Sequence, residues 1–450
     1  MVRDAINAYH ALLTDDVAQD SHAQLDTQLR TRGLYFGDRP LCSVLRPRFF
    51  SPTQYAFLQR RAAVALRAFR KAHLAALASD TVLDQLRLLD WERALVRIGP
   101  GFRDASPVSR LDAFFVDGHG GLRFTEYNAE TPAGGGYNDA LSELFFALPV
   151  MRHFLRKWDV RALPARHHVL HALLDAYEQW SGKRDRPRIC IVDWDEVPTR
   201  SEFLLFQEYF VRQGYECDIV DPAELTYSAG GSLMSPHGRV DVLYKRVLLS
   251  ELVERGRLDH AIFRALRDGA VCMVNPPSCK ILHKKASLAV LSDERNAELF
   301  DEEESEEIAS SIPWTRVMEE RRTLFEGKDV DLLRFVQDNR ERLVLKPNDE
   351  YGGKGIVLGW ETDDAGWQEA MHTALREPFI VQERIPLPTE PYPSLVNGRV
   401  ELLDRMVDTA PYVAYGDHVD GCLTRLATAS LLNVTAGGGT QTPTFIVERR

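Results

Sequence analysis

The sequence predicts a mixed α/β (α+β) fold on three observations: a helix-rich first third, a polar β-hairpin that follows it, and an alternation of short apolar strands with helices between residues 183 and 278. Residues 1–30 and 51–79 read as helices. The second opens with Ser51, Pro52 and Gln54, so a capping hydroxyl, a proline at the first helical position and a returning glutamine fix its start locally. Next, "RLDAFFVDGHGGLRFTEYNAETPAGGGYND" alternates apolar and polar residues about "DGHGG", the pattern of two strands joined by a glycine turn. A helical stretch is predicted at 136–181. "RPRICIVDW", "ECDIVD" and "GRVDVLYKR" then read as strands and "SEFLLFQEYFVRQGY" as a helix, which together give a parallel sheet wrapped by helices. From about residue 280 a further α/β region contains "LVLKPNDEYGGKGIVLG", "PFIVQERI" and a strand-rich end, "LLNVTAGGGTQTPTFIVERR".

The chain has 450 residues, 44% of them hydrophobic, enough for about three domain-sized units with buried cores. A formal charge of −11 disfavours nonspecific nucleic-acid binding, while a local basic cleft for a phosphorylated ligand stays compatible with it. No apolar core follows "MVRDAINAYHALLTDDVAQD", and no run approaches the ~18 apolar residues of a membrane span. Cys42, Cys190, Cys217, Cys272, Cys279 and Cys422 are scattered without a CxxC pair, which suits free thiols in a reducing compartment and argues against structural zinc. The expectation is a soluble cytoplasmic protein with neither a membrane nor a nucleic-acid partner.

Lys346 ends an apolar run, and Gly352, Gly353, Lys354 and Gly355 follow in a glycine turn whose amides and ammonium group can close over phosphate oxygens. Taken alone, "GGKG" more often marks a surface hairpin with a solvated lysine. The spacing is not that of a P-loop, and no GxGxxG follows "RICIVDW". About thirty residues downstream, the strand "PFIVQERIP" ends in Gln382 and Glu383, a hinge able to present polar groups to a nucleobase, although taken alone such a strand is more often a core strand running into a solvated turn. On the earlier hairpin, Asp112 faces Glu126 and Asn128, which strand alternation puts on one face. Three oxygen donors of this kind suit magnesium, and Arg110 on the same strand can reach a phosphoryl group or a carboxylate.

Lysine strand, glycine lid and hinge, in that order, resemble the nucleotide site of the ATP-grasp superfamily. Its usual E-x-N magnesium element is not C-terminal to the hinge here but lies far upstream in "EYNAETPAGGGYND". The order, together with "RLDAF", "NPPSCKILHKKASLAVL", "LKPNDEYGGKG" and "RLATASLLNVTAGGG", resembles the circularly permuted type 2 branch, similar to the synthetase domain of glutathionylspermidine synthases. The resemblance implies a helix-rich region at 1–90, a magnesium-site part of the core at 91–182, a Rossmann-like pre-ATP-grasp unit at 183–278 and a nucleotide lobe with its lid at 279–450. It further implies ATP and Mg²⁺ as cofactors, with Asp112, Glu126 and Asn128 on the metal. Lys346, Lys354, Gly352, Gly353, Gly355, Gln382, Glu383 and Asn433 are expected around the nucleotide, and Arg110, Lys354 and Arg425 in catalysis. No amidase domain accompanies the ligase part, so spermidine and glutathione are not implied as substrates.

The implied chemistry is ATP-dependent joining of a small-molecule or peptide carboxylate to an amine through an acyl phosphate. Glu130 is the nearest candidate base. A non-catalytic nucleotide-binding protein and a phosphotransferase on the same fold are the alternatives. Three other features draw attention. His167 and His171 share a helix face but lack a third ligand at fixed spacing, so a solvated face is expected rather than zinc. The acidic run "DEEESEE" at 301–307 reads as a solvated loop or helix start. Lys245 and Arg246 end a parallel strand, where ligands of open α/β sheets bind.

Overall fold

The computed structural model describes residues 1–116, 121–350, 352–428 and 439–450. The turn "DGHGG" lies largely outside them, and Tyr351 and Asn433 lie wholly outside.

Three sheets frame one central cleft. The largest is assembled from both ends of the chain: Thr389–Val396, Arg399–Val407, His418–Ala427 and Ala410–Ala414 are followed in space by Val108–Val116 and Gly121–Asn128. The predicted hairpin is thus sewn antiparallel onto C-terminal strands, with Tyr412 opposite Arg110. The last strand, Gly439–Arg449, pairs with His418–Ala427 and also with Arg48–Phe50. A second sheet is wholly parallel, in the order Cys272–Val274, Val242–Lys245, Ile189–Val192, Cys217–Val220. Its strands are short, apolar and covered on both faces, as the predicted alternation requires. The third is antiparallel, in the order Thr315–Val317, Phe379–Glu383, Leu343–Pro347, Val357–Leu358, which sets the hinge strand directly beside the lysine strand.

The helix Pro52–Ala78 starts as the sequence indicates, with Ser51 Oγ accepting from the Gln54 amide and Gln54 Oε1 accepting from the Ser51 amide. Its small-residue face, Ala62, Ala65, Ala68 and Ala72, buries against the same core as Leu111, Phe115 and Phe124 of the hairpin. The opposite, basic side takes up the acidic run. Asp301 caps the helix Glu302–Ser311, while Lys71 meets Asp301 and Glu304 at 2.9 and 2.5 Å and Arg61 pairs with Glu307. "DEEESEE" is therefore a helix start, but Glu304 and Glu307 are buried partners rather than solvated ones.

The stretch 136–181 is not continuous helix. It breaks into Gly135–Ala147, Pro149–Phe154 and Arg166–Ser181, and between the second and third lies the strand Trp158–Ala162, which runs antiparallel to the C-terminal strand with Val160 opposite Val447. A five-residue segment whose partner is at the other end of the chain carries no local signature strong enough to interrupt a helical reading. Among the described residues no helix is long and apolar enough to cross a membrane.

Candidate active site

The hairpin register places Arg110 opposite Asn128 and Asp112 opposite Glu126, so four polar side chains share one face. Directly beyond, the register shifts between Asp112 and Ala113, and Thr125 is left over. This bulge ends the polar patch and returns Ala113, Phe115, Leu122 and Phe124 to the core.

Asp112 is the hub of the patch. Arg110 donates Nε to its Oδ1 at 2.7 Å and Nη2 to Oδ2 at 3.1 Å, Asn128 Nδ2 donates to Oδ2 at 2.9 Å, and Arg425 Nη2 donates to the same oxygen at 2.7 Å. Burial alone would raise the Asp112 carboxyl, yet the two guanidinium groups hold it well below the usual carboxylate range. Arg425 is itself oriented by buried Asp408, which accepts from its amide and its Nε at 2.5 Å each. Glu126 is held by Lys285, whose Nζ donates at 2.9 Å. Burial and neighbouring Asp112 push Glu126 up, Lys285 pulls it down, and the balance leaves it ionised below its ordinary value.

Two carboxylates opposed across a hairpin repel unless cations stand between or beside them. The donors Asp112, Glu126 and Asn128 offer hard oxygens, the chemistry that suits Mg²⁺. Arg110, Arg425 and Lys285 supply the compensating charge in this structure.

Two cavities meet at this patch. One, of about 410 Å³, is walled by Val344, Ile356, Leu358 and Trp360 on the lysine-strand side and by Ile385, Leu387 and Met406 opposite, an apolar slot with Lys346, Gln382 and Arg425 in its walls. Lys346 Nζ donates to Gln382 Oε1 at 2.6 Å, and Gln382 Nε2 donates to Thr315 Oγ1 at 2.9 Å, so the cation is aimed by a buried relay. Burial pushes Lys346 down to about 8, partly opposed by Glu126. The amides of Glu383 and Arg384 donate to Trp314 and Arg342 carbonyls, so the chain that follows, Ile385 to Leu387, is the part of the hinge that lines the slot beyond the sheet.

Gly352 and Gly353 line the slot; Gly352, Gly353 and Gly355 all have positive φ, and a Cβ at Gly355 would lie 2.7 Å from Pro347, so this turn needs glycine. Lys354, by contrast, points outward. Its side chain is 78% exposed and pairs with Glu350 at 3.6 Å, and together with Gly355 it lines a different depression on the outer side of the turn. The root of the turn is fixed: Asp349 accepts from Lys280 at 2.6 and 2.7 Å and pairs with Lys284 at 3.0 Å, and Lys285 donates to the Glu350 carbonyl at 2.7 Å.

The second cavity, about 320 Å³, shares Asp112, Glu126, Gly352 and Arg425 with the first and is further lined by Arg110, Asn128, Tyr137, Asp193, Arg246, Glu251 and His283. It opens at the C-terminal ends of Ile189–Val192 and Val242–Lys245. The chain leaves the first of these strands to one side and returns on the other, so this is the switch point where open α/β sheets bind ligands. Arg246 is already committed to the Pro132 carbonyl at 2.5 Å and to Glu202 at 3.4 Å, and Glu202 in turn accepts from the amides of Gly134 and Gly136. Asp193 accepts from its neighbour's amide, and burial pushes its carboxyl up to about 6.

Glu130 does not suit a base. It is fully buried, accepts from Lys280 at 3.0 Å, Lys245 at 3.3 Å and the Leu249 amide at 2.6 Å, and these cations hold it far below its ordinary value despite burial. Lys245 is consumed in the same knot. The sequence alone does not single out Lys285, Asp193, Asp408 or Thr315 as site residues. The lysine pair Lys284–Lys285, set in an apolar stretch between two short helices, is nonetheless a sequence signal for such a site, since burying two ammonium groups requires nearby carboxylates.

An apolar slot between an antiparallel lysine sheet and a hinge, adjoining an acidic hairpin contributed from upstream, defines a circularly permuted ATP-grasp architecture. Residues 114–427 match the family model described as circularly permuted ATP-grasp type 2, and the chain belongs to that family. Among solved structures it is similar to a glutathione synthetase-like effector from Globodera pallida in its apo form, at 15% identity over 96% of this chain and 94% of the other, with a TM-score of 0.59. A putative γ-glutamylcysteine synthetase from Methylobacillus flagellatus is more distant, at 12% identity over 84% and 86% of the two chains and a TM-score of 0.41. The first likeness extends the shared fold to nearly the whole chain. No curated protein matches. The family and the fold support an ATP-dependent ligase in general.

Proposed function

We propose that this chain is a carboxylate–amine ligase that activates an acid as an acyl phosphate. The observation that carries the reading is the meeting of two cavities at Asp112, Glu126 and Arg425: a slot walled by Val344, Leu358 and Ile385 with Lys346 beside them on one side, a chamber lined by Arg110, Asp193, Arg246 and Glu251 on the other. ATP takes the slot, with its base against Val344, Leu358 and Ile385 and its phosphates running past Lys346 towards Lys285 and Arg425. Asp112, Glu126 and Asn128 would hold Mg²⁺, which would supply charge neutralisation at the phosphates.

An acid in the acceptor chamber presents a carboxylate oxygen to the γ-phosphorus. The new P–O bond forms as the bond to the β-phosphate oxygen breaks, releasing ADP and leaving the acyl phosphate. The amine nitrogen then attacks the acyl carbon and phosphate departs. Phosphoryl transfer asks the protein mainly for positioning and cationic charge, which fits a site dense in Arg and Lys. Asp193 is the better-placed base: burial raises its carboxyl to about 6, so it is ionised at neutral pH yet takes a proton more readily than an ordinary aspartate. With Glu251 on the same wall, it also gives an ammonium group a place to dock. Lys354 reaches the phosphates only if the glycine turn folds inward, which makes that turn a closing lid over the acyl phosphate.

The test is ADP release by the purified protein with Mg·ATP and a matrix of carboxylic acids and amines. The expected result is turnover requiring one of each, one free phosphate per ADP, and a product whose mass is the sum of both minus water. ADP without free phosphate and with a phosphorylated hydroxyl would assign a phosphotransferase instead, and tight nucleotide binding without any turnover would assign a binding protein. With a substrate pair in hand, Asp193→Asn is expected to lower kcat/KM for the amine by about 10²–10⁴-fold while leaving ADP affinity unchanged.

A further inference from the structure

Away from the cleft, the helix Arg166–Ser181 lies beside the strand His418–Ala427, and three ligand-type side chains converge there: His168 from the helix, His418 and Asp420 from the strand. Each offers a nitrogen or carboxylate oxygen within 4.8 Å of the others. His168 Nε2 stands 3.1 Å from Asp420 Oδ2, close to the spacing of two donors that share an ion at about 2.0–2.2 Å from each.

Asp420 is held in the orientation a metal ligand needs. Its Oδ1 accepts from Tyr55 Oη at 2.6 Å and from the Gly421 amide at 2.9 Å, which turns Oδ2 towards the histidines. Gln59 fixes the same strand by donating to the Val419 carbonyl at 2.8 Å. Such outer contacts orient the donors of known metal sites. His168 and His418 line a cleft that also contains His167, Asp175 and Asp417, and Arg103 in the same cleft is paired with Asp104.

We propose that His168, His418 and Asp420 form a binding site for a divalent transition ion of the zinc class, with remaining positions open to water. Two imidazoles and a carboxylate select a borderline ion over magnesium. The other compact group of such residues among those described, Glu130, His283 and Asp349, is a poor rival because Lys245, Lys280 and Lys284 already neutralise its carboxylates. All six cysteines are buried, so surface thiols do not compete. An ion here clamps the helix to the strand that, seven residues on, carries Arg425. The rival arrangement is the helix pair His167 and His171, whose rings lie 6.5 Å apart.

The experiment is zinc titration by calorimetry on untagged, chelator-treated protein in excess Mg²⁺, repeated for His168→Gln, His418→Gln and His171→Gln. ADP binding on each preparation verifies that the fold is intact. The expected result is one zinc per chain, a rise in melting temperature with zinc, at least about tenfold weaker binding in the first two variants and no change in the third. Binding that survives both of those variants, binding that depends on His171, or no binding by the wild type would each overturn the assignment.

Discussion

Replacing Glu126 by glutamine is expected to lower ATP turnover by about a thousandfold or more while leaving the melting temperature within a few degrees of wild type. Glutamine keeps an oxygen for Lys285 to donate to, so that hydrogen bond persists, and only the negative charge is lost. ADP binding without Mg²⁺ is expected to be retained, and its enhancement by Mg²⁺ to disappear. The companion change, Asp112→Asn, behaves differently because Asp112 is the buried counter-charge of both Arg110 and Arg425. Removing it leaves two guanidinium groups facing each other, and a loss of roughly 3–5 kcal/mol is expected, the range for breaking a buried ion pair. Denaturant unfolding and ADP calorimetry on both variants separate the effects. Normal Mg²⁺-dependent turnover in Glu126→Gln would remove the hairpin from the metal site.

That contrast between two carboxylates of one motif could not be read from the chain alone. Period-two alternation was enough to place Asp112, Glu126 and Asn128 on one face, because strand geometry is local. Lys346 and the hinge strand were legible for the same reason, each being an apolar run with a polar terminus. Alternation says nothing of what faces that surface: Arg425 reaches Asp112 from a strand near the other end of the chain, and Lys285 reaches Glu126 from the junction between the short helices Lys280–His283 and Ala286–Ser292, whose lysines look misplaced until their carboxylates are known. The outward aim of Lys354 is likewise a property of the turn's conformation. Glu130 was drawn to the site by proximity in sequence, and three-dimensional packing turned it into the centre of a lysine knot instead. The strand Trp158–Ala162 was missed because its pairing partner is the C-terminal strand.

Lys346→Met is expected to weaken ADP and ATP binding by about 10–100-fold, the value of one charge-assisted contact to phosphate, and at the same time to stabilise the free protein. The two effects share a cause. Burial lowers Lys346 to about 8, below the ordinary lysine value of 10.5, so at neutral pH the folded chain holds an ammonium group that is better solvated in the unfolded chain. Between about pH 8 and the unfolded value near 10.5 the folded lysine is neutral while the unfolded one still binds a proton, and stability from this group therefore rises with pH across that window. The melting-temperature advantage of Lys346→Met is accordingly expected to be full below pH 8 and to shrink above it. Nucleotide affinity runs the other way, because phosphate binds the ammonium form: in wild type it falls up to about tenfold per pH unit above pH 8, with proton uptake on binding measurable in buffers of different ionisation enthalpy. Lys346→Met is expected to lose that slope. A flat wild-type profile from pH 7 to 9.5 would mean that Lys346 does not meet the phosphates, and the relay from Thr315 through Gln382 would then be a fold contact rather than the device that holds a strained cation ready for its ligand.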